Sequence, residues 1–300
     1  MKRIVVFLAF TLPLGLIAFQ NQEFSISTDV ELVQLEVSVK DAKGGYVSGL
    51  TKENFRVEEM GVPQTITVFS HEDVPVTAGL VMDASGSMRT KQKDVIMAGL
   101  VFAGASNARD QLFVVNFNDL VRAGLPEGTA FSDDRDVLRR ALSRDKPEGR
   151  TALYDAIGWS LEHLDKGERE KKALVVVTDG GDNCSKLTTP EMMHLIELSH
   201  ATIYTIGLFD EDDPDRNPRV LEKIAHVSGG QCFLPQQAED VIPICRKIAE
   251  DIRNRYTIGY VPNRTRAKAG LRSIKVTASA SGHEHLFVRT RTSYSLPEHK

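Results

Sequence analysis

Two short apolar segments, far apart in the chain, each end at an acidic turn. Residues 77–82 are followed by Asp83, and residues 173–177 are followed by Thr178 and Asp179. Short apolar runs bounded by turn residues are typical of strands buried in a parallel sheet. The residues that follow the carboxyl ends of parallel strands meet at one edge, where open α/β folds bind ligands. We therefore expect Asp83 and Asp179 to lie close together.

Helical and strand patterns alternate around these segments. Helices are predicted at residues 91–105, 134–142, 152–164, 190–199, 219–226 and 238–254, and further strands at 112–116, 174–178, 202–208 and 231–234. Alternation of this kind predicts an α/β fold with a doubly wound, mostly parallel sheet of the Rossmann-like type.

The regions before and after this α/β segment alternate apolar and polar residues with period two, which is typical of strands with one buried face. These segments are residues 30–40, 55–58, 65–69, 256–260, 272–278 and 286–290. Neither group is large enough to form a stable sandwich alone. We therefore predict a smaller β-sandwich built from N- and C-terminal strands, with the α/β domain inserted between them. The predicted boundaries are 1–20 for a signal peptide or anchor, 24–74 and 256–295 for the β-sandwich, and 75–255 for the α/β domain.

Side chains with oxygen ligands are concentrated in three loops at the predicted carboxyl edge. The first loop is Asp83-Ala84-Ser85-Gly86-Ser87, the second contains Thr151 at the start of a helix, and the third contains Asp179. Two carboxylates and three hydroxyls suit a hard divalent cation, Mg²⁺ (or Mn²⁺/Ca²⁺) rather than Zn²⁺. The predicted metal ligands are Asp83, Ser85, Ser87, Thr151 and Asp179.

The charge of this ligand set suggests its use. Two carboxylates offset one divalent ion, and the hydroxyls are neutral, so the ion can accept another anionic oxygen from outside. No general base or nucleophile is evident beside the predicted metal. The pattern favours binding of an acidic group over catalysis.

The order Asp83-x-Ser85-x-Ser87, Thr151, Asp179 resembles the metal-ion-dependent adhesion site of von Willebrand factor type A (VWA) domains. The flanking segments, residues 49–64 and 255–262, are similar to those of the VWFA-related proteins common in Acidobacteria. The resemblance implies a VWA fold and a divalent-cation site, but no particular ligand.

Two positions depart from that pattern. Met60 stands where a turn-forming Asn or Asp is expected before Gly61, and Arg150 stands where a Gly often precedes the Thr. We expect Arg150 to bias the bound ligand further toward acidic groups.

Two other interpretations of the first loop were weighed. Asp83 and Ser85 could form an Asx turn that caps the next helix, which would leave Thr151 and Asp179 unexplained. A phosphatase using a phosphoaspartate also has an Asp at a strand end. Such an enzyme has a second carboxylate two residues further on, where this chain has Ser85.

The N-terminus has the features of a targeting segment. Met1-Lys2-Arg3 is positively charged, and residues 4–19 are almost wholly apolar. This run is shorter than the ~20 residues of a spanning helix and fits a secretory signal. Cleavage after Ala18 and retention as an anchor both remain open. In either case the body is expected outside the cytoplasm, in the periplasm, cell envelope or extracellular space.

The three cysteines, Cys184, Cys232 and Cys245, are too few for a disulfide framework. Cys232 and Cys245 form the best candidate pair, because a helix that follows the Cys232 strand would pack back across it. The alternative is that all three are small buried apolar residues.

Composition limits the partners. The formal net charge is -4 and aromatic residues make up 7% of the chain, with no basic stripe, so nucleic acid is excluded as an expected partner. We expect an exported, non-enzymatic binding protein whose partner is a protein ligand offering an acidic side chain. A membrane would be involved only through an uncleaved N-terminal segment. The alternatives are a metal-dependent hydrolase and a structural module with a vestigial metal site.

Overall fold

The computed structural model describes residues 32–210, 216–262 and 270–296. The predicted signal peptide or anchor, residues 1–20, and the acidic residues 211–215 lie outside these ranges. The strands of the described part are β1 (Val33–Lys40), β2 (Phe55–Glu59), β3 (Val62–Gln64), β4 (Ile66–Ser70), β5 (Val76–Asp83), β6 (Gln111–Phe117), β7 (Val121–Ala123), β8 (Lys171–Thr178), β9 (Thr202–Gly207), β10 (Cys232–Phe233), β11 (Tyr256–Tyr260), β12 (Gly270–Ala278), β13 (Phe287–Arg289) and β14 (Ser293–Leu296). Its α-helices are α1 (Gln92–Gly104), α2 (Arg135–Leu142), α3 (Leu153–Leu164), α4 (Thr189–Leu198), α5 (Pro218–Ser228) and α6 (Val241–Arg253).

The central sheet has six strands in the order β10-β9-β8-β5-β6-β7. All neighbours pair in parallel except β7, which pairs antiparallel with β6. Every residue of β5 and of β9 is buried, so both faces of the sheet are covered. Helices α1, α2 and α6 form one contacting group and α3, α4 and α5 another. The mostly parallel α/β sheet predicted from the sequence is therefore confirmed, with β7 as an unpredicted antiparallel edge.

The core of this region is built by the buried strands and the helix faces above them. Phe102 of α1, Phe113 and Phe117 of β6 and Leu138 of α2 belong to it and are each at most 2% exposed. None of the helices in the described ranges is long and apolar enough to cross a membrane.

Strands from both terminal regions form two further sheets of four strands. Their orders are β13-β1-β11-β4 and β14-β12-β2-β3, and all neighbours are antiparallel. A second core lies between them, where the rings of Phe55 and Tyr256 approach to 5.1 Å between centroids. The three-residue strand β3 and strand β14 were not predicted.

A buried carboxylate links the terminal strands to the central region. Asp251 of α6 accepts hydrogen bonds from Ser38 of β1 at 2.9 Å and from Tyr204 of β9 at 2.6 Å. The guanidinium groups of Arg255 and Arg289 contact it at 2.8 and 2.6 Å. Burial alone would raise the pKa of Asp251, but the two arginines outweigh burial and lower that pKa. The negative charge of Asp251 is thus stabilised at neutral pH where the terminal strands meet the central region.

The three cysteines are free thiols, so the disulfide considered between Cys232 and Cys245 is not formed. Cys245 is 1% exposed in the core of the central region, and Cys232 packs partly buried against the same core. These two cysteines therefore act as small apolar residues packed in or against the core, which was the alternative to a disulfide.

The hairpin between β2 and β3 is closed by two residues, Met60 and Gly61, because Glu59 pairs with Val62. Both have positive φ, 50° for Met60 and 76° for Gly61. A two-residue hairpin of this kind favours Asn or Asp before Gly, since bulky side chains disfavour the left-handed region. Met60, which stands where Asn or Asp is expected, is therefore a strained residue in a tight turn.

We expect Met60→Asn to raise the free energy of unfolding by about 0.5 kcal/mol, because Asn tolerates the left-handed conformation better than Met. Met60→Val is the control and should lower it, since a β-branched residue is disfavoured at positive φ. Urea denaturation of the three proteins measures both changes. Equal stability of the Asn and Val variants would contradict strain at this position.

His163 of α3 is a neutral buried imidazole. Its ring stacks on Trp159 at 4.8 Å and lies 4.5 Å from the ring of Phe113. Its Nε2 is 2.9 Å from the carbonyl oxygen of Ala130, while its buried Nδ1 has no hydrogen-bond partner. Burial lowers the pKa of His163. Protonation would therefore bury a charged donor without an acceptor.

The pKa of His163 is lower in the folded state than in the unfolded state, where it is roughly 6.5. Neutral His163 therefore contributes its full stability above the unfolded pKa. That contribution is lost as the pH falls through the folded pKa. We expect His163→Gln to be less stable than the wild type at pH 7.5, and this difference to shrink by pH 5. Thermal unfolding midpoints across this range measure it, with exposed His194→Gln as control. A difference that stays constant with pH would contradict this assignment.

Candidate functional site

The parallel pairing of β5 with β8 brings the two predicted acidic ligands to one edge of the sheet. Met82 pairs with Val177, so Asp83 and Asp179 follow neighbouring positions on the two strands. Asp83 is 4% exposed and Asp179 is 1% exposed. The structure thus places both carboxylates at the carboxyl edge and buries them.

Backbone hydrogen bonds tie the three loops together. Gly86 N–H donates to the carbonyl of Gly149 at 3.1 Å, which joins the first loop to the second. Thr151 N–H donates to Asn183 Oδ1 at 2.9 Å, and Asn183 N–H donates to the carbonyl of Thr151 at 3.0 Å. Thr151 lies two residues before α3, so the second and third loops are held together at the beginning of that helix.

The side chains of the first and third loops form a connected chain. Ser85 Oγ lies 3.0 Å from Ser87 Oγ, which donates to Asp179 Oδ1 at 2.8 Å. Asp83 Oδ1 accepts from the Ser85 N–H at 2.7 Å, and its Oδ2 accepts from the Thr178 hydroxyl at 2.5 Å. Both carboxylates are therefore fixed in orientation by neighbouring groups.

The three predicted hydroxyl ligands, Ser85, Ser87 and Thr151, line one surface depression of about 460 Å³. The glycine backbones at 149, 180 and 181 also line it. Ser85, Thr151, Asp83 and Asp179 are each at most 4% exposed, whereas Ser87 is exposed. The structure thus brings the five predicted residues to one place, with Ser87 the most accessible of them.

Burial raises the pKa of Asp83 to about 6, against the opposing hydrogen bonds from Thr178 and Ser85. Burial also raises the pKa of Asp179. Two buried carboxylates side by side favour a nearby cation. In the described ranges no group of three or more His, Cys, Asp or Glu side chains could hold a metal ion. A metal at this edge would therefore depend on the hydroxyls, and this all-oxygen set fits a hard divalent cation.

Lys91, just before α1, was missed from the sequence. Its ammonium donates to Asp179 Oδ2 at 3.0 Å, to the Leu208 carbonyl at 2.8 Å and to Asp210 Oδ2 at 2.8 Å. The available signal was a cation four residues after the last serine of the first loop. Nothing in that spacing shows which carboxylate the long side chain reaches.

Two further carboxylates hold the third loop against α3. Asp155 accepts from the backbone N–H groups of Lys186 and Leu187, each at 2.9 Å. Asp182 Oδ1 accepts from the N–H of Tyr154 at 3.2 Å. These acceptors fix the segment after Asp179 beside Thr151.

The second loop is held by Asp119. The Arg150 side chain donates to Asp119 Oδ1 at 2.9 Å, and the Arg150 N–H donates to Oδ2 at 3.0 Å. Gly149 has φ of 77°, and a Cβ there would lie 1.9 Å from Asp119 Oδ2. The charge of Arg150 is thus paired at the edge of the depression, and a glycine is required immediately before it.

We expect Gly149→Ala to destabilise the protein by about 1–2 kcal/mol, because the new methyl group combines positive φ with a clash against Asp119. Gly128→Ala is a matched control, since Gly128 has φ of 79° and open space around its Cβ position. Chemical denaturation should show a larger loss for the Gly149 variant. Equal losses would mean that Asp119 does not restrict the loop.

The structure thus has an α/β domain with a mostly parallel sheet and a hydroxyl-lined depression at its carboxyl edge. Residues 79–181 match the family model of the von Willebrand factor type A domain. This segment contains all five predicted ligands. The chain therefore contains a VWA domain, as the resemblance of its motifs implied.

Comparisons with individual proteins agree at the level of fold. A von Willebrand factor type A protein from Catenulispora acidiphila has a similar structure, with a TM-score of 0.54 and 14% identity, covering 89% of this chain and 74% of that one. Proximal thread matrix protein 1 from the mussel byssus gives a TM-score of 0.50 and 15% identity, covering 71% of this chain and 51% of that one.

An uncharacterized protein of Synechocystis sp. is 25% identical over 189 residues, which is 60% of this chain. The present chain spans 42% of the length of that relative.

Proposed function

We propose that this protein is an exported, non-enzymatic binding protein whose VWA domain holds a divalent cation and coordinates an acidic side chain of a protein partner. The observation that supports it most strongly is the convergence of five oxygen-bearing side chains at one edge of the sheet. Ser85, Ser87 and Thr151 line one depression, and the buried carboxylates of Asp83 and Asp179 are hydrogen-bonded to the first loop. This arrangement supports a metal-ion-dependent adhesion site.

Ser85, Ser87 and Thr151 would be direct ligands, and Asp83 and Asp179 would act directly or through bound water. Ser87 can keep donating to Asp179 while its lone pairs face the depression. A divalent ion would supply a Lewis-acidic position that an anionic oxygen from the partner can occupy. Mg²⁺ is the first choice, with Mn²⁺ and Ca²⁺ as alternatives.

The lining of the depression favours binding over hydrolysis. Among the residues that the structure describes, the lining includes no histidine and one carboxylate, that of Asp210, with which the Lys91 ammonium forms an ion pair at 2.8 Å. A general base would need an unpaired acceptor near the bound group. A pNPP-hydrolysing activity that is lost on Asp83→Ala would overturn the non-enzymatic part of the proposal.

The wider setting is also proposed. We infer that the two terminal sheets form one β-sandwich into which the VWA domain is inserted, and that the N-terminal segment directs export. The flanking motifs support a relationship to the Acidobacterial VWFA-related proteins.

The first test is calorimetric titration of Mn²⁺ and Mg²⁺ into the wild type, Asp83→Ala and Thr151→Ala. We expect heat of binding with the wild type and at least a tenfold weaker association with each variant, because each lacks an oxygen ligand. Ser48→Ala, which removes an exposed hydroxyl from the terminal region, should bind like the wild type. Circular dichroism checks that every variant is folded. Equal heats from the wild type and both site variants would refute the assigned ligands.

The second measurement concerns the partner group. Peptides that differ only by Glu or Gln at one position are compared for binding in Mg²⁺ and in EDTA. The acidic peptides should bind in Mg²⁺ alone. Binding that is indifferent to the carboxylate or that survives EDTA would favour a structural module with a vestigial metal site.

A further inference from the structure

The ammonium of Lys91 has a full set of hydrogen-bond acceptors beside the candidate site. Its side chain is 12% exposed, and its three acceptors, Asp179, Asp210 and the Leu208 carbonyl, match the three donors of an ammonium group. Asp179 is fully buried on its side chain, whereas that of Asp210 is 64% exposed. One end of this arrangement is therefore fixed and the other is open to solvent.

Each oxygen of Asp179 already has one partner. Oδ1 accepts from the Ser87 hydroxyl, and Oδ2 accepts from Lys91. The serine can remain in place when its oxygen faces a cation, but a positive charge at 3.0 Å from Oδ2 opposes a divalent ion at the same carboxylate. Burial disfavours the charged form of Lys91, but the hydrogen bonds to Asp210 and Asp179 outweigh it and raise the pKa of Lys91. The lysine thus stays charged.

We propose that Lys91 is a tethered competing cation, which lowers the affinity of the site for divalent ions by occupying Asp179. This inference rests on the proposed metal function. Binding of a divalent ion then requires the ammonium to give up Asp179 and to keep Asp210, whose exposed side chain can follow it. The affinity of the site for its ion, and hence the ion concentration at which the partner binds, is set by this exchange.

The simpler alternative is that Lys91 is a structural clamp that joins the start of α1 to Asp179 and to the residues after β9. A clamp would affect stability without affecting the intrinsic affinity for metal. The two roles are separated by comparing metal affinity with stability in the same variants.

The test titrates Mn²⁺ into the wild type, Lys91→Met and Lys91→Gln by calorimetry at fixed ionic strength. Removal of the competing charge should tighten Mn²⁺ binding by about ten- to hundredfold, the range that follows from the loss of one charged hydrogen bond. Lys93→Met, which removes an exposed charge from the first turn of α1, should leave the affinity within about twofold of the wild type, because screening weakens exposed charges.

A second readout uses the unfolding temperature. In EDTA, Lys91→Met should unfold at a lower temperature than the wild type, since the buried Asp179 loses its ion-pair partner. Saturating Mn²⁺ should remove this difference. A clamp would instead leave the variant destabilised both with and without the ion.

The outcomes separate this inference from the proposed function. Tighter binding in both Lys91 variants, with the Lys93 control unchanged, supports competition. Equal affinity of the wild type and both folded Lys91 variants overturns it and leaves the metal site intact. No Mn²⁺ binding by the wild type or by any variant overturns the proposed function itself.

Discussion

The parallel pairing of β5 and β8 is the constraint on which the site depends. Both strands lie in the middle of the central sheet, and each is followed at once by a polar turn. Burial of the two strands therefore forces two carboxylates, Asp83 and Asp179, into the same low-dielectric region. That costs free energy unless positive charge or strong donors are supplied. Thr178, the serines of the first loop and Lys91 supply them in the described chain.

How far the sequence could anticipate the structure depended on the range of the interactions. The buried strands were predictable because their short apolar runs are uninterrupted and end at turn residues, and the meeting of the three loops follows from sheet topology alone. The strands β3 and β7 have three residues each, too few to show a period. The reach of Lys91 to Asp179 and Asp210 depends on side-chain conformation across 88 and 119 positions of sequence, which local pattern does not encode. The sequence left open whether Cys232 and Cys245 form a disulfide, because secondary-structure order does not fix how two thiols face each other; in the structure both are free.

A second buried ionic cluster has the opposite character. Around Asp251, two arginines provide more positive charge than the single carboxylate needs, and its pKa is lowered. Asp83 has no ion-pair partner among the described residues, and burial raises its pKa. The cluster at Asp251 is complete within the described residues and belongs to the framework. The one at Asp83 is incomplete in charge, which is the property expected of a place that receives a cation.

The position of the terminal strands has a mechanical consequence. Strand β4, which leads into the central region, and β11, which leaves it, are paired with each other, with Thr257 opposite Ser70. The chain enters β5 at its amino end, while the candidate site lies at its carboxyl end. Under the proposed function, tension between a partner bound there and the terminal sheets would run lengthwise along β5, flanked by β6 and β8. Hydrogen bonds on both sides would then be loaded in shear together, instead of being opened one after another.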